Sequence, residues 1–233
     1  MCPRYAIYYA PPADHPLWHL GCAWLGRNPE TGAEMARPAL GLPAAEIAAI
    51  TGDPARYGFH ATLKPPFRLA ERRTAAELTE AVAEFAQRRP AFLAPPVRVT
   101  AIGGFRALTL CAPCPALDRL AADAVIELDG FRAPPTDEER AKRQAVGLSP
   151  AQMRNLDRWG YPYVLDQFRF HLTLTNPLPE GAAMVDATLT DLFGPYRDLP
   201  LPVPDIALYV QESPSGHFRL IRRFPLAPCP PDG

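Results

Sequence analysis

Tyr57-Gly-Phe-His-Ala-Thr-Leu-Lys-Pro-Pro-Phe67 is answered further along the chain by Phe170-His-Leu-Thr-Leu-Thr175, and the two histidines stand 111 positions apart (171 − 60). Both stretches read Phe-His-x-Thr-Leu, with apolar residues alternating against polar ones. That period of two is the pattern of a half-buried strand, in which residues i and i+2 share a face. His60 and Thr62 therefore share one face, and His171 and Thr173 share the corresponding face of the copy. A single strand histidine is most simply a polar residue on a wet surface. Two identical pentads are better explained by one site built from two imidazoles and two hydroxyls.

The rest of the chain sets the context. At 233 residues and 48% hydrophobic content it has ample core material. A formal net charge of −1 argues against a broad nucleic-acid footprint. Lysine occurs only at Lys64 and Lys142, so nearly all of the 24 basic residues are arginine. With 30 prolines and abundant alanine, this reads as GC-rich coding. The start of the chain has no export-signal pattern, and no apolar run is long enough to span a bilayer. Five cysteines, an odd count, are expected as reduced thiols in the cytoplasm. Cys111 and Cys114 form a lone CxxC, too little for a zinc site or a redox centre. His15 and His19 lie four apart but have no acidic or thiol partner to complete a metal set.

Outward from the two pentads, strands are expected at 4–10, 97–102, 106–111, 206–212 and 217–224. Gly103-Gly104 and Ser213–Gly216 form the hairpin turns. Helices are expected at 15–25 behind Asp14, at a short piece around 44–50, from the Thr74/Glu77 capping box to Pro90, and over 182–193. A helical insert fills about 115–160, with caps at Thr136 and Ser149 and a charge run, Asp137 to Arg143, on a solvated face. The tail from Cys229 is expected to fray. Together these elements predict an α+β chain. It forms one bilobal domain over 1–233, with two antiparallel sheets facing a central cleft and helices outside. The first signature strand covers about 57–68 and the second about 167–175.

Two imidazoles near neutral pKa suit a concerted acid–base displacement, one taking a proton from the attacking oxygen and the other giving one to the leaving oxygen. A phosphodiester fits, because those two oxygens lie on opposite sides of phosphorus. Each threonine can donate to a non-bridging oxygen. Strand parity adds Lys64 to the first face, and Arg169 and Thr175 to the second, as candidates for holding an anion. Tyr8, Tyr57 and Tyr163 are candidates for bordering the cleft. Without a nearby acid or thiol, the pair makes a poor metal set. No Gly-x-Ser-x-Gly elbow or Gly-x-x-x-x-Gly-Lys phosphate loop is present.

The tetrads His60-Ala-Thr-Leu63 and His171-Leu-Thr-Leu174 resemble the paired motifs of the two-histidine (2H) phosphoesterase superfamily. That superfamily includes RNA 2′,3′-cyclic phosphodiesterases and RNA 2′-5′ ligase-like proteins. The resemblance implies a pseudo-twofold bilobal fold and phosphodiester chemistry without metal or cofactor. It also implies His60 and His171 as the acid–base pair, with Thr62 and Thr173 on the phosphate. The longer strings Tyr57–Phe67 and Trp159-Gly-Tyr-Pro-Tyr163 followed by Phe168–Leu174 resemble the bacterial branch found with phosphonate-utilisation genes. That implies a small cyclic phosphate, such as a cyclic ribose phosphate, as substrate. The expected partner is accordingly a small anionic ester rather than long nucleic acid or a membrane, and the expected state is a monomer. A non-catalytic phosphate receptor and an RNA-end processing enzyme are the competing readings.

Overall fold

A computed structural model of the chain describes residues 3–145 and 147–228, which leaves the tail from Cys229 outside the described residues. The elements run β1 (Arg4–Tyr9), α1 (Pro16–Leu25), α2 (Ala44–Tyr57), β2 (Ala61–Arg68), α3 (Ala75–Gln87), β3 (Phe92–Ala94), β4 (Val97–Ile102) and β5 (Phe105–Leu110). They continue with α4 (Pro115–Glu127), α5 (Asp137–Gln144), α6 (Pro150–Trp159), β6 (Leu172–Thr173), α7 (Ala183–Phe193), β7 (Leu201–Val203), β8 (Asp205–Gln211) and β9 (Arg219–Pro225). Mixed helices and antiparallel sheets make this an α+β protein, as expected. Among the described residues no helix is long and apolar enough to cross a membrane.

The main sheet has the order β2-β1-β8-β9, and a second has the order β4-β5-β6. Both signature strands are therefore edge strands, each in its own sheet. The sheets do not follow the halves of the chain: the larger gathers two strands from the start and two from the end. Short strands β3 and β7 pair separately and were not legible as strands in the sequence.

The helices form where apolar stripes and caps coincide. The Thr74/Glu77 box closes the first turn of α3, and Leu78, Val82 and Phe85 are fully buried beneath it. Each such side chain contributes about 1.5–3 kcal/mol by leaving water. The boxes at Thr136/Glu139 and Ser149/Gln152 also form. The cap of α1 is His15 rather than Asp14, since its Nδ1 accepts from the Leu17 amide at 3.2 Å. On that helix Gly21 faces Phe59, the residue before His60, so closely that a methyl there would overlap the ring.

The helix expected around 44–50 instead continues to Tyr57 through Pro54. Proline has no amide to give the carbonyl four residues back. The freed Ile50 carbonyl is taken by the amide of Asn176, just past the second signature stretch, at 2.6 Å. The Asn176 side chain completes the clip, accepting from the Asp53 amide at 2.9 Å and donating to the Ala49 carbonyl at 3.0 Å. Trp24 of α1 adds an indole N–H to the Leu174 carbonyl at 2.8 Å. The two signature stretches are thus tied together through α1 and α2, even though they belong to different sheets.

Candidate active site

Each histidine stands one residue ahead of its strand, His60 before β2 and His171 before β6. The helix α2 ends at Gly58, whose φ of 83° and ψ of 172° fall in a region only glycine occupies without strain. That conformation turns the Gly58 carbonyl onto His60 Nδ1 at 2.8 Å. His171 repeats the arrangement, with Nδ1 at 2.8 Å from the carbonyl of Arg169. A carbonyl only accepts, so each Nδ1 carries the proton and each Nε2 presents a bare lone pair. The Thr62 hydroxyl lies 3.3 Å from His60 Nε2 and donates to it.

An aromatic box holds the first imidazole. Tyr8 stacks on it with 3.7 Å between centroids and 22° between planes, while Tyr57 and Tyr209 stand at 6.2 and 6.1 Å. Burial is the main reason the His60 pKa is lowered to about 4; the Gly58 bond opposes the shift and the His171 charge adds to it. His171 is lowered as well, chiefly by burial, with the Arg169 bond opposing and the Arg169 charge reinforcing. Both rings are therefore neutral at pH 7 in the free protein.

His60, Thr62 and Thr173 line one cavity of about 880 Å³, together with Tyr8, Tyr57 and Tyr163. His171 is not part of that lining, though its charge reaches His60. Tyr57 stacks on Phe218 at 5.1 Å, and exposed Tyr163 meets Tyr161 edge-on at 5.8 Å. Asn155 of α6 holds the Tyr163 segment by donating to the Val164 carbonyl at 2.8 Å.

Besides His171, three residues expected at the cleft are placed elsewhere. Lys64 is 2% exposed and lies behind the sheet, donating to the Val125 carbonyl at 3.0 Å and facing Asp129 at 3.5 Å. The cause is a bulge: Tyr8 pairs with Thr62 but Ile7 pairs with Lys64, so Leu63 is an extra residue that reverses the parity. Burial pushes the Lys64 ammonium down to about 8, against the pull of Asp129. Thr175, at the same position of the second motif, is 1% exposed. There the amides of Leu174 and Thr175 both donate to the Arg106 carbonyl, at 2.8 and 3.2 Å, again reversing parity. The Thr175 hydroxyl accepts from the Arg106 amide at 2.9 Å, inside the protein. Arg169 is exposed and outside the cavity lining; it serves His171 through its carbonyl and its charge.

The sequence reading missed the opposite wall. Arg132, Thr136, Glu139, Lys142 and Arg143, all within the helical insert, line the cavity, as do Arg4, Arg68 and Tyr161. Arg143 lies over the Tyr161 ring at 4.5 Å. The Asp137–Arg143 charge run does have no buried residue, as a solvated face should, yet part of that face borders the site. Cys111 and Cys114 are both free thiols. Among the described residues no three His, Cys, Asp or Glu side chains gather so as to hold a metal.

The model of a family described as protein of unknown function (DUF1045) matches residues 62–219. The chain is 35% identical, over 96% of its length, to a protein named ribose 1,5-bisphosphate phosphokinase PhnN from Janthinobacterium sp. (strain Marseille). It is 36% identical, over 94% of its length, to a protein of the same name from Laribacter hongkongensis (strain HLHK9). The chain spans about half the length of these curated relatives, 51% in each case. Among solved structures, E. coli LigT complexed with 3′-AMP is similar over 97% of this chain and 99% of that one, at 16% identity and a TM-score of 0.45. LigT complexed with phosphate is similar at 15% identity and a TM-score of 0.44 over the same shares.

Proposed function

The chain belongs to the family described as protein of unknown function (DUF1045), and starting from that membership we propose that it is a phosphodiesterase that opens a small cyclic phosphate by histidine acid–base catalysis. The reading rests on one observation: both imidazoles are gripped at Nδ1 by the carbonyl two residues earlier, which leaves both Nε2 atoms unprotonated. His60, with the more strongly depressed pKa, is the base. It takes a proton from water as the water oxygen bonds to phosphorus. His171, protonated when an anion offsets its burial, gives a proton to the departing ring oxygen as the P–O bond breaks. The product is a phosphomonoester, and solvent exchange restores the two protonation states. Thr62 and Thr173 donate to the non-bridging oxygens, Thr62 turning its hydroxyl away from Nε2 to do so.

The relatives' name, a kinase of ribose 1,5-bisphosphate, supports a phosphorylated ribose as the sugar and, with the sequence resemblance, a role in phosphonate breakdown. Kinase chemistry itself is disfavoured for this chain: neither of its two lysines follows a glycine, so the Gly-Lys pair of a phosphate loop cannot be made. The test is an assay of EDTA-treated protein against 2′,3′-cyclic nucleotides and a ribose 1,2-cyclic phosphate, followed by phosphorus NMR. At least one should become a monoester, with His60→Ala or His171→Ala reducing the rate by about 10²–10⁴. Undiminished turnover in the double variant would remove the histidines from the mechanism. A ligand that binds and stays unchanged would make the protein a receptor.

A further inference from the structure

Beside the main cavity lies a second one of about 430 Å³, and its lining is dominated by cations: Arg4, Arg56, Arg68 and Lys142. Their pairing separates them into two kinds. Arg68 is neutralised by Glu139 at 3.2 Å. Arg4 is held instead by a neutral amide, with Nε and Nη2 both donating to Gln211 Oε1, the former at 2.8 Å. Gln211 is itself 1% exposed and anchored by its own N–H to the Gly216 carbonyl at 2.8 Å. Arg56 is fixed only by backbone carbonyls, those of Pro214 and Gly216. Among the described residues neither guanidinium, nor Lys142, has a carboxylate partner.

A guanidinium pinned by neutral acceptors keeps its full charge and loses little side-chain freedom when a ligand arrives. A salt-bridged arginine would first have to give up its partner. Two such groups, with the Lys142 ammonium in the lining of the same cavity, form a preorganised seat for a dianion. The seat is continuous with the active-site cavity, because Arg4, Tyr57, Arg68 and Lys142 line both. Tyr57 is the link: its ring stands 6.2 Å from His60 and borders both spaces. A ligand with its cyclic phosphate at His60 and a second anionic group past Tyr57 would occupy the two together.

We infer that Arg4, Arg56 and Lys142 form a second anion subsite, and that the substrate is a cyclic phosphate carrying a separate phosphomonoester. The substrate half of this inference rests on the phosphodiesterase reading above; the subsite half does not. The substrate test compares ribose 1,2-cyclic phosphate with the same compound phosphorylated at its 5-hydroxyl. Wild-type protein should favour the phosphorylated compound by at least about a hundredfold in kcat/KM, since each charge-assisted contact is worth about tenfold or more. The Arg4→Gln, Arg56→Gln double variant should bring that ratio to within about threefold, mainly through KM. Arg56→Gln alone, whose arginine lies outside the active-site lining, should lower the ratio about tenfold and leave the rate on the unphosphorylated compound unchanged, which also certifies its fold. Equal turnover of both compounds by wild type would overturn the inference and leave the phosphodiesterase reading intact. If neither compound is opened, the phosphodiesterase reading fails if no 2′,3′-cyclic nucleotide is opened either, and calorimetry with ribose 5-phosphate decides the subsite. Binding that the double variant loses would uphold it, and absence of binding to wild type would overturn it.

Discussion

Replacing His60 by asparagine should change how the stability of the protein depends on pH, by an amount the site itself specifies. Asparagine keeps an N–H near the position of Nδ1 to donate to Gly58 but cannot take up a proton. The folded-state pKa of His60 is lowered to about 4, against an unfolded value of about 6.5. A base with a depressed folded pKa contributes stability above its unfolded pKa and loses it as pH falls through the folded one. The window is therefore about pH 6.5 to 4. At 1.36 kcal/mol per pH unit the interval amounts to about 3 kcal/mol. Urea unfolding at several pH values between 7.5 and 4 measures it. Relative to the variant, wild type should be unaffected above pH 6.5 and should lose up to about 3 kcal/mol by pH 4. Inorganic phosphate should reduce the loss, because an anion in the cleft favours the imidazolium. Curves for wild type and variant that run parallel from pH 7.5 to 4 would refute the argument, as would a histidine titration by NMR that places His60 near 6.5.

Other outcomes follow from the same geometry. The kcat/KM profile should be a bell shifted to the acid side of 6.5, because both free-protein histidines are lowered, and its acid limb should follow His60 near pH 4. An optimum above pH 8 would contradict that assignment. Gly58→Ala puts a side chain at φ 83° and against Pro29; activity should fall at least tenfold with the fold retained by circular dichroism, since the Gly58 carbonyl orients His60. Lys64→Met should leave KM within about threefold of wild type and show its effect in urea unfolding, as expected for an ammonium behind the sheet. Asn176→Ala should cost about 1–2 kcal/mol and lower kcat more than it raises KM, by loosening the clip between the signature stretches.

The period of two placed His60 and Thr62 toward one cavity, which Thr173 also lines and His171 does not. At Lys64 and Thr175 the same parity argument fails, and for the same reason in both copies: a bulge directly after the threonine turns the next side chain inward. An inserted residue in a ladder leaves no mark in composition or spacing when only one sequence is read. The length of α2 was hidden by Pro54, which ordinarily marks a helix end; here the carbonyl it frees has a partner 126 positions away (176 − 50). The arginine wall was illegible because 22 arginines in a GC-rich chain look alike until a fold decides which ones keep carboxylate partners. The α+β class needed only the general alternation and the three capping boxes, and those boxes form.

The way the main sheet closes bears on how the protein is made. β1 sits between β2 and β8, and Arg4 meets Gln211 across 207 positions of chain. On the ribosome, β1 and β2 emerge early with one flank bare. They must wait for the 136 residues between Arg68 and Asp205 (205 − 68 − 1) to be translated before β8 and β9 arrive. Tyr8, which supports the first imidazole, lies in that waiting strand. A nascent polypeptide stalled before β8 would hold both motifs yet lack the sheet that supports the first, so the candidate site should be complete only once β8 and β9 have paired.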